Sequence, residues 1–98
     1  MKFGLSETSW KLVEQIALEP LKRTGAQVFV FGSRARGDHY EFSDLDLLVF
    51  NLKNAKLLSG IKEQLEESSL PIRVDIVLNE DLADSYRNNV DSEKIKIE

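Results

Sequence analysis

The sequence is poor in the residues that bind metals through sulfur or nitrogen. Its 98 residues include no cysteine and a single histidine, His39. The lack of cysteine excludes disulfide bonds and thiolate metal sites. One histidine argues against a zinc site of the usual kind. These two absences remove disulfide scaffolds and most zinc proteins from consideration.

Long apolar runs and a hydrophobic leader are also absent. No stretch is long enough to span a membrane, and the N-terminal run MKFGLSE becomes charged too early to act as a signal peptide. The net charge of −4 argues against general affinity for nucleic acid or for an anionic membrane surface. We therefore expect a cytoplasmic protein that binds neither membranes nor, directly, nucleic acid.

The composition is typical of one small globular domain. A chain that is 42% hydrophobic and 31% charged suits a single domain over residues 1–98 with one modest core. The alternation of predicted helices and strands along the chain indicates an α/β (α+β) fold, which is a small sheet with helices packed on one face and the other face open for chemistry. The predicted elements are a helix along the Trp10–Leu21 apolar stripe that Pro20 kinks or ends, strands at 26–31 and 45–50, a helix around 57–65, a strand at 72–78, a final helix at 79–90, and an extended tail or edge strand at 94–97.

Three aspartates interrupt the apolar pattern of the later strands. Asp44 and Asp46 lie two residues apart at the start of one strand, so their side chains leave the same side of it. Asp75 is out of phase with its apolar neighbours on the next strand, so it faces the same way if the two strands are adjacent. Three converging carboxylates would suit Mg²⁺, and two such ions could serve a phosphoryl or nucleotidyl transfer.

A Gly-Ser pair lies at the end of the first strand. Gly32 and Ser33 open a turn that leads into a short helix through Arg36. A helix start presents free N–H groups to an anion, and glycine lets the backbone approach a phosphate. Arg36 and Arg34 lie close enough in sequence to neutralise phosphate charge.

Each of these features also has an ordinary structural interpretation. An Asp-x-Asp pair is commonly a solvated turn or a helix cap, and Gly-Ser after a strand is commonly a plain turn. Asp75 could face solvent on an edge strand, and the two arginines alone could be surface residues. His39 fits a surface loop residue better than a ligand or a base. The order and spacing of the features together carry more information than any one of them.

The ordered set of motifs resembles the DNA polymerase β-like nucleotidyltransferase superfamily. The set consists of GSRARG at 32–37, SDLDLLV at 43–49 and RVDIV at 73–77. The short length makes the chain most similar to the minimal nucleotidyltransferases of bacteria and archaea. The resemblance implies the nucleotidyltransferase fold, with a small mixed sheet.

The resemblance also implies a role for each motif. Asp44, Asp46 and Asp75 would bind Mg²⁺, two ions in all, and Asp75 would also help to take a proton from the attacking hydroxyl. Gly32 and Ser33 would hold the triphosphate of a nucleotide, with ATP as the expected donor. Arg36, and with less support Arg34, would contact phosphate or the acceptor.

In the minimal family the acceptor is commonly a tyrosine of a small helical protein of the HEPN type. The resemblance therefore implies an antitoxin that transfers AMP to a HEPN partner toxin within a hetero-oligomer. An alternative is a non-catalytic, nucleotide-binding protein that neutralises a toxin by contact. A metal-dependent nuclease would leave the Gly-Ser motif unexplained. The intact carboxylates favour the enzyme, because a relic site has no need of crowded like charges.

Overall fold

A computed structural model describes residues 2–98 of the chain. A helical region at the N-terminus precedes a four-stranded sheet, whose strands alternate with further helices. The elements are α1 (Glu7–Val13), a π-helical segment (Glu14–Leu18), α2 (Glu19–Arg23), β1 (Gln27–Phe31), α3 (Ser33–Arg36), β2 (Leu45–Phe50), α4 (Ala55–Glu67), β3 (Val74–Leu78), a 3₁₀ turn (Asn79–Asp81), α5 (Asp84–Glu93) and β4 (Ile95–Lys96).

The sheet is mixed, as the resemblance implied, and its order is β3-β2-β1-β4. β1 pairs antiparallel with both β2 and β4, whereas β2 and β3 run parallel. The parallel register pairs Asp46 with Asp75 and Leu48 with Val77. Two of the three predicted aspartates are therefore neighbours across adjacent strands.

The core lies between one face of the sheet and the helices α1, α2 and α4. Alternate residues of β1 and β2 point into this core, as the period of two in a strand requires. The predicted arrangement of helices on one face is confirmed for these elements. The most deeply buried residues of this core include Val13, Leu21, Val28, Val30, Leu45, Leu47 and Val49.

The opposite face of the sheet is only partly open, because α5 lies across it. Leu48 on β2 and Val90 on α5 are both buried, although neither belongs to the main core. α5 also lines a cleft together with Asp46 and Asp75. The last helix, α5, thus forms one wall of the sheet face that was predicted to be open for chemistry.

The N-terminal helical run continues through Pro20 instead of ending there. The chain widens into the π-helical segment at Glu14–Leu18, and Pro20 lies in the first turn of α2. Proline has no N–H to donate and its ring clashes with the preceding turn, which a wider π turn relieves. Gly25, with φ +88°, follows the end of the run.

The remaining differences from the predicted elements concern where they begin and end. β3 begins at Val74, two residues later than predicted, and the predicted final helix is a 3₁₀ turn followed by α5, which extends to Glu93. The extended tail is an edge strand, because β4 pairs with β1. Within residues 2–98, no helix is both long and apolar enough to cross a membrane.

Candidate active site

The side-by-side pair Asp46 and Asp75 is the centre of the candidate site. β2 and β3 are parallel neighbours in register, so the two side chains leave the sheet on the same face. Both are half-buried, whereas Asp44 lies just before β2 and is exposed. The structure therefore brings two of the predicted aspartates together, with the third at the rim.

Asp46 is the electrostatically strained member of this group. Its pKa is raised to about 6, mainly by burial and further by the negative charges of Asp75, Asp44 and Glu93, while Arg36 opposes the increase. The cluster therefore carries negative charge that the protein itself does not neutralise. Such an arrangement favours a bound cation or a shared proton.

The three aspartates do not form a closed set of metal ligands. Within the described residues 2–98, no group of three or more His, Cys, Asp or Glu side chains lies in position to hold a metal ion. Asp44 influences the pKa of Asp46 without completing such a group. The predicted convergence thus holds for the strand pair, Asp46 and Asp75, and Asp44 lies outside it.

Gly32 brings the backbone directly against Asp46. Its φ of +77° lies in the left-handed region that favours glycine, and a Cβ added there would collide with Oδ2 of Asp46. Ser33 follows as the first residue of α3, a single helical turn that ends in the left-handed Gly37. The first N–H groups of this turn have no partners inside the helix. The Gly-Ser motif is therefore next to the carboxylate pair.

Arg34 has a structural role instead of the predicted phosphate contact. Its side chain is only 3% exposed, and burial lowers its pKa. The guanidinium donates four hydrogen bonds to backbone carbonyl groups of the loop that precedes β2 and of the N-terminal segment, which uses four of its five N–H donors. The acceptors are the carbonyl oxygens of Phe3, Tyr40, Glu41 and Ser43, at 2.9–3.5 Å.

Arg36 lines the cleft and forms two ion pairs, one with Glu93 inside the cleft and one with Asp38 outside it. It contacts Asp38 at 3.0 Å and Glu93 at 2.7 Å. These two carboxylates raise the pKa of Arg36, mainly through their hydrogen bonds. Glu93 is only 13% exposed in its side chain and was not predicted, because the final helix was expected to end at Val90. Continuing the helical period from Tyr86 through Val90 would have placed Glu93 on the same face.

His39 does not take part in the site. Its ring packs over Gly4, where a Cβ would collide with the imidazole, and it does not line the cleft. Its Nδ1 is buried without a hydrogen-bond partner among the described residues. The predicted surface loop residue is therefore a half-buried packing residue.

A cleft of about 430 Å³ lies between the sheet and α5. Gly32, Arg36, Asp46, Asp75 and Glu93 form its polar end. A larger hollow of about 690 Å³ lies beside β3 and α4, and it includes Asp75 but neither Asp46 nor Gly32. The smaller cleft is the candidate active site because it brings Gly32, Asp46 and Asp75 together, whereas Ser33 and Asp44 do not line it.

Comparison with known proteins agrees with this geometry. The nucleotidyltransferase domain family matches residues 11–97. The chain belongs to this family. A solved structure described as that of a minimal nucleotidyltransferase has 39% sequence identity and a TM-score of 0.69, and the match covers 99% of this chain and 97% of the other. The activity class is therefore that of a nucleotidyltransferase.

Two further matches are more limited. The probable protein adenylyltransferase MntA of Haemophilus influenzae is 40% identical to this nucleotidyltransferase over 52 residues, which is 51% of this chain. The match spans 46% of the length of that relative. A crystal structure of a toxin-antitoxin with AMP-PNP shares the fold, with a TM-score of 0.63 and 18% identity, over 85% of this chain and 70% of the other.

The donor atoms of this nucleotidyltransferase fit Mg²⁺. Asp46 and Asp75 offer carboxylate oxygens side by side, and Mg²⁺ is commonly held by one or two carboxylates together with water and substrate phosphates. The raised pKa of Asp46 is consistent with this, because it reflects burial of the carboxylate and the nearby charges of Asp75, Asp44 and Glu93, and a bound cation would offset both. A bound triphosphate would supply the ligands that a third protein carboxylate does not.

Proposed function

We propose that this protein transfers AMP from ATP to a tyrosine hydroxyl of a HEPN-type partner toxin, in a metal-dependent reaction, and so acts as an antitoxin. The observation that carries the proposal is the contact of the Gly32 backbone with Asp46, which itself lies beside Asp75 in one cleft. A turn suited to phosphate next to a pair of carboxylates suited to a cation supports the proposal. Those are the two requirements of nucleotidyl transfer.

The residues of the cleft divide the work of the reaction. The N–H groups at the start of α3 and the Ser33 hydroxyl bind phosphate oxygens, and Arg36 neutralises part of their charge. Asp46 and Asp75 would hold Mg²⁺, and Asp44 lies exposed at the rim, where it would add negative charge near the ion. When bound, Mg²⁺ polarises the phosphate oxygens and neutralises the charge that develops in the transition state.

The bond changes follow from this placement. Asp75 accepts the proton of the acceptor hydroxyl, whose oxygen forms a bond with the α-phosphorus of ATP. The bond between that phosphorus and the oxygen bridging to the β-phosphate breaks, and pyrophosphate leaves. The acceptor retains AMP through a phosphodiester bond.

Several observations support a protein as the acceptor. The relative MntA is described as a probable protein adenylyltransferase, although the match spans less than half of it. A toxin-antitoxin that shares the fold was crystallised with AMP-PNP, an ATP analogue, which makes ATP the first nucleotide to test. The HEPN partner and its tyrosine rest on the resemblance of the three motifs to the minimal family.

Intact-mass spectrometry tests this proposal directly. The protein is purified together with the product of the adjacent gene, and both chains are weighed before and after incubation with Mg²⁺ and ATP. We expect the partner to gain the mass of one or more AMP groups, and fragmentation to place them on tyrosine. Chelation of the metal should prevent the gain.

An Asp75→Asn variant is the matched control, because it removes the proton acceptor while preserving the shape of the side chain. We expect no transfer by this variant. If the two wild-type chains form a stable complex without a mass change under any nucleotide, the transferase proposal is wrong. Inhibition of the toxin by contact would then be the better explanation.

A further inference from the structure

The cleft has a second, apolar end that the transfer chemistry does not use. Val77 forms its floor, two residues beyond Asp75 on the same face of β3 and about 7 Å along the strand. Leu82 and Val90 add apolar walls. A volume of about 430 Å³ is within the range of small-molecule sites, which are mostly apolar with a few polar groups.

One face of α5 connects the two ends of the cleft. Tyr86, Asn89, Val90 and Glu93 follow the helical spacing of three, four and seven residues, and all four line the cleft. Glu93 holds Arg36 at the polar end. Tyr86 lies two turns away, about 10 Å along the helix axis. The helix therefore presents an aromatic ring and an amide beyond the phosphate-binding end.

Neither side chain is used in the packing of the protein. The Tyr86 side chain is exposed, at 63% for the residue, and Asn89 is exposed as well. Among residues 2–98, the Asn89 amide makes no hydrogen bond, whereas its neighbour Arg87 is tied to Asn79. An exposed tyrosine beside an unoccupied amide on the wall of a cleft is available to a ligand.

We propose that Tyr86 and Asn89 bind the base of the nucleotide, with Tyr86 stacking on its ring and Asn89 selecting adenine. The inference rests on the proposed function, because it assigns the base end of the same ligand. An aromatic ring stacks on any base. The amide of asparagine offers one donor and one acceptor side by side, which match N7 and N6–H of adenine, whereas guanine presents two acceptors there.

Binding measurements on the purified protein in Mg²⁺ test the two residues separately from the phosphate end. The probes are ATP, GTP and inorganic tripolyphosphate, which carries the charge of the nucleotide without a base. The variants are Tyr86→Ala and Asn89→Ala. The matched controls are Tyr40→Ala, an exposed tyrosine outside the cleft, and Asn88→Ala, the adjacent exposed asparagine.

We expect Tyr86→Ala to weaken ATP binding at least about tenfold and to leave tripolyphosphate binding unchanged, because one stacked base is lost. Tyr86→Phe should restore ATP binding, since the ring is retained. Asn89→Ala should reduce the preference for ATP over GTP, and both controls should resemble the wild type. This pattern would support the assignment.

Two results would overturn it. If the wild type binds ATP and tripolyphosphate but the Tyr86 and Asn89 variants bind ATP normally, the base lies elsewhere, and the proposed transferase function is unaffected. An equal loss of ATP and tripolyphosphate in Tyr86→Ala would likewise exclude a role in base binding. If the wild type binds none of the three probes in Mg²⁺, both the base site and the proposed function fail.

Discussion

Replacing Asp46 by asparagine should make the metal-free protein more stable and remove its response to Mg²⁺. The carboxylate is half-buried beside Asp75, and its charge is also opposed by Asp44 and Glu93. Asparagine has nearly the same shape but no charge. The substitution therefore removes the cost of burying a charge, together with the repulsion from the neighbouring carboxylates, that the native fold maintains at neutral pH.

The expected size of the effect follows from the pKa. An increase from the ordinary value near 4 to about 6 corresponds to roughly 3 kcal/mol in the stability of the native state. Solvent screening at a half-exposed group reduces this to about 1–2 kcal/mol. In a domain of this length, that difference would raise the melting temperature by roughly 5–10 °C.

The pH dependence has a definite sign. Because the native state retains the Asp46 proton to a higher pH than the unfolded state does, it binds more protons between about pH 4 and pH 6. This group therefore lowers wild-type stability as the pH rises through that window. The advantage of Asp46→Asn should be absent near pH 4 and fully developed by pH 8.

Urea unfolding at pH 4, 6 and 8, in the presence of a chelator, measures this difference. Repeating the pH 8 series in Mg²⁺ should stabilise the wild type, by about 2.7 kcal/mol at a hundredfold excess over Kd, and leave the variant unchanged. Asp81→Asn is the control, because Asp81 is exposed and does not line the cleft. A variant that is less stable than wild type at pH 8 without metal would refute the reasoning.

Three further substitutions test other parts of the site. Arg34→Met should lower the free energy of unfolding by about 2–4 kcal/mol in urea, because several partly buried backbone carbonyl groups lose the donor that the buried guanidinium provides. Gly32→Ala should destabilise the fold by about 1–3 kcal/mol in thermal melts and abolish Mg²⁺-dependent nucleotide binding. Its control is Gly60→Ala, in open space on α4, which should stabilise the fold by about 0.5–1 kcal/mol in the same melts. Glu93→Gln should strengthen tripolyphosphate binding by roughly threefold to tenfold in calorimetry, since one negative charge leaves the cleft. Asp38→Asn should have a smaller effect, because Asp38 also pairs with Arg36 but lies outside the cleft.

Much of the fold could be predicted because local pattern and tertiary environment agree. The predicted strand at 45–50 has the bounds of β2, and Asp46 and Asp75 share a face, as the phase of each strand indicated for adjacent strands; their directly opposite register is a finding of the structure. The π-helical segment could not be predicted in the same way. The segment lets Pro20 fit into a helical run that packs against the core on both sides of it. The spacing of apolar residues in the sequence does not reveal this local widening.

The site was predictable where a role depends on residue type and strand phase, and less so where it depends on the path of the chain. Arg34 and Arg36 look equivalent in the sequence, two residues apart. In the fold, a loop that ends at Ser43 wraps around one guanidinium and leaves the other in the cleft. Glu93 belongs to the site only because α5 extends three residues beyond Val90 and turns that face toward Arg36.

The charges of the cleft link its stability to its chemistry. Among the described residues, the cleft is lined by three carboxylates, on Asp46, Asp75 and Glu93, and by one guanidinium, on Arg36. A triphosphate entering alone would meet repulsion from the carboxylates and would have to compete with Glu93 for Arg36. A divalent cation changes both relations, because it neutralises the strand carboxylates and bridges them to the phosphates. Under the proposed function, the excess of negative charge that costs the free protein stability would therefore also make nucleotide binding depend on the metal.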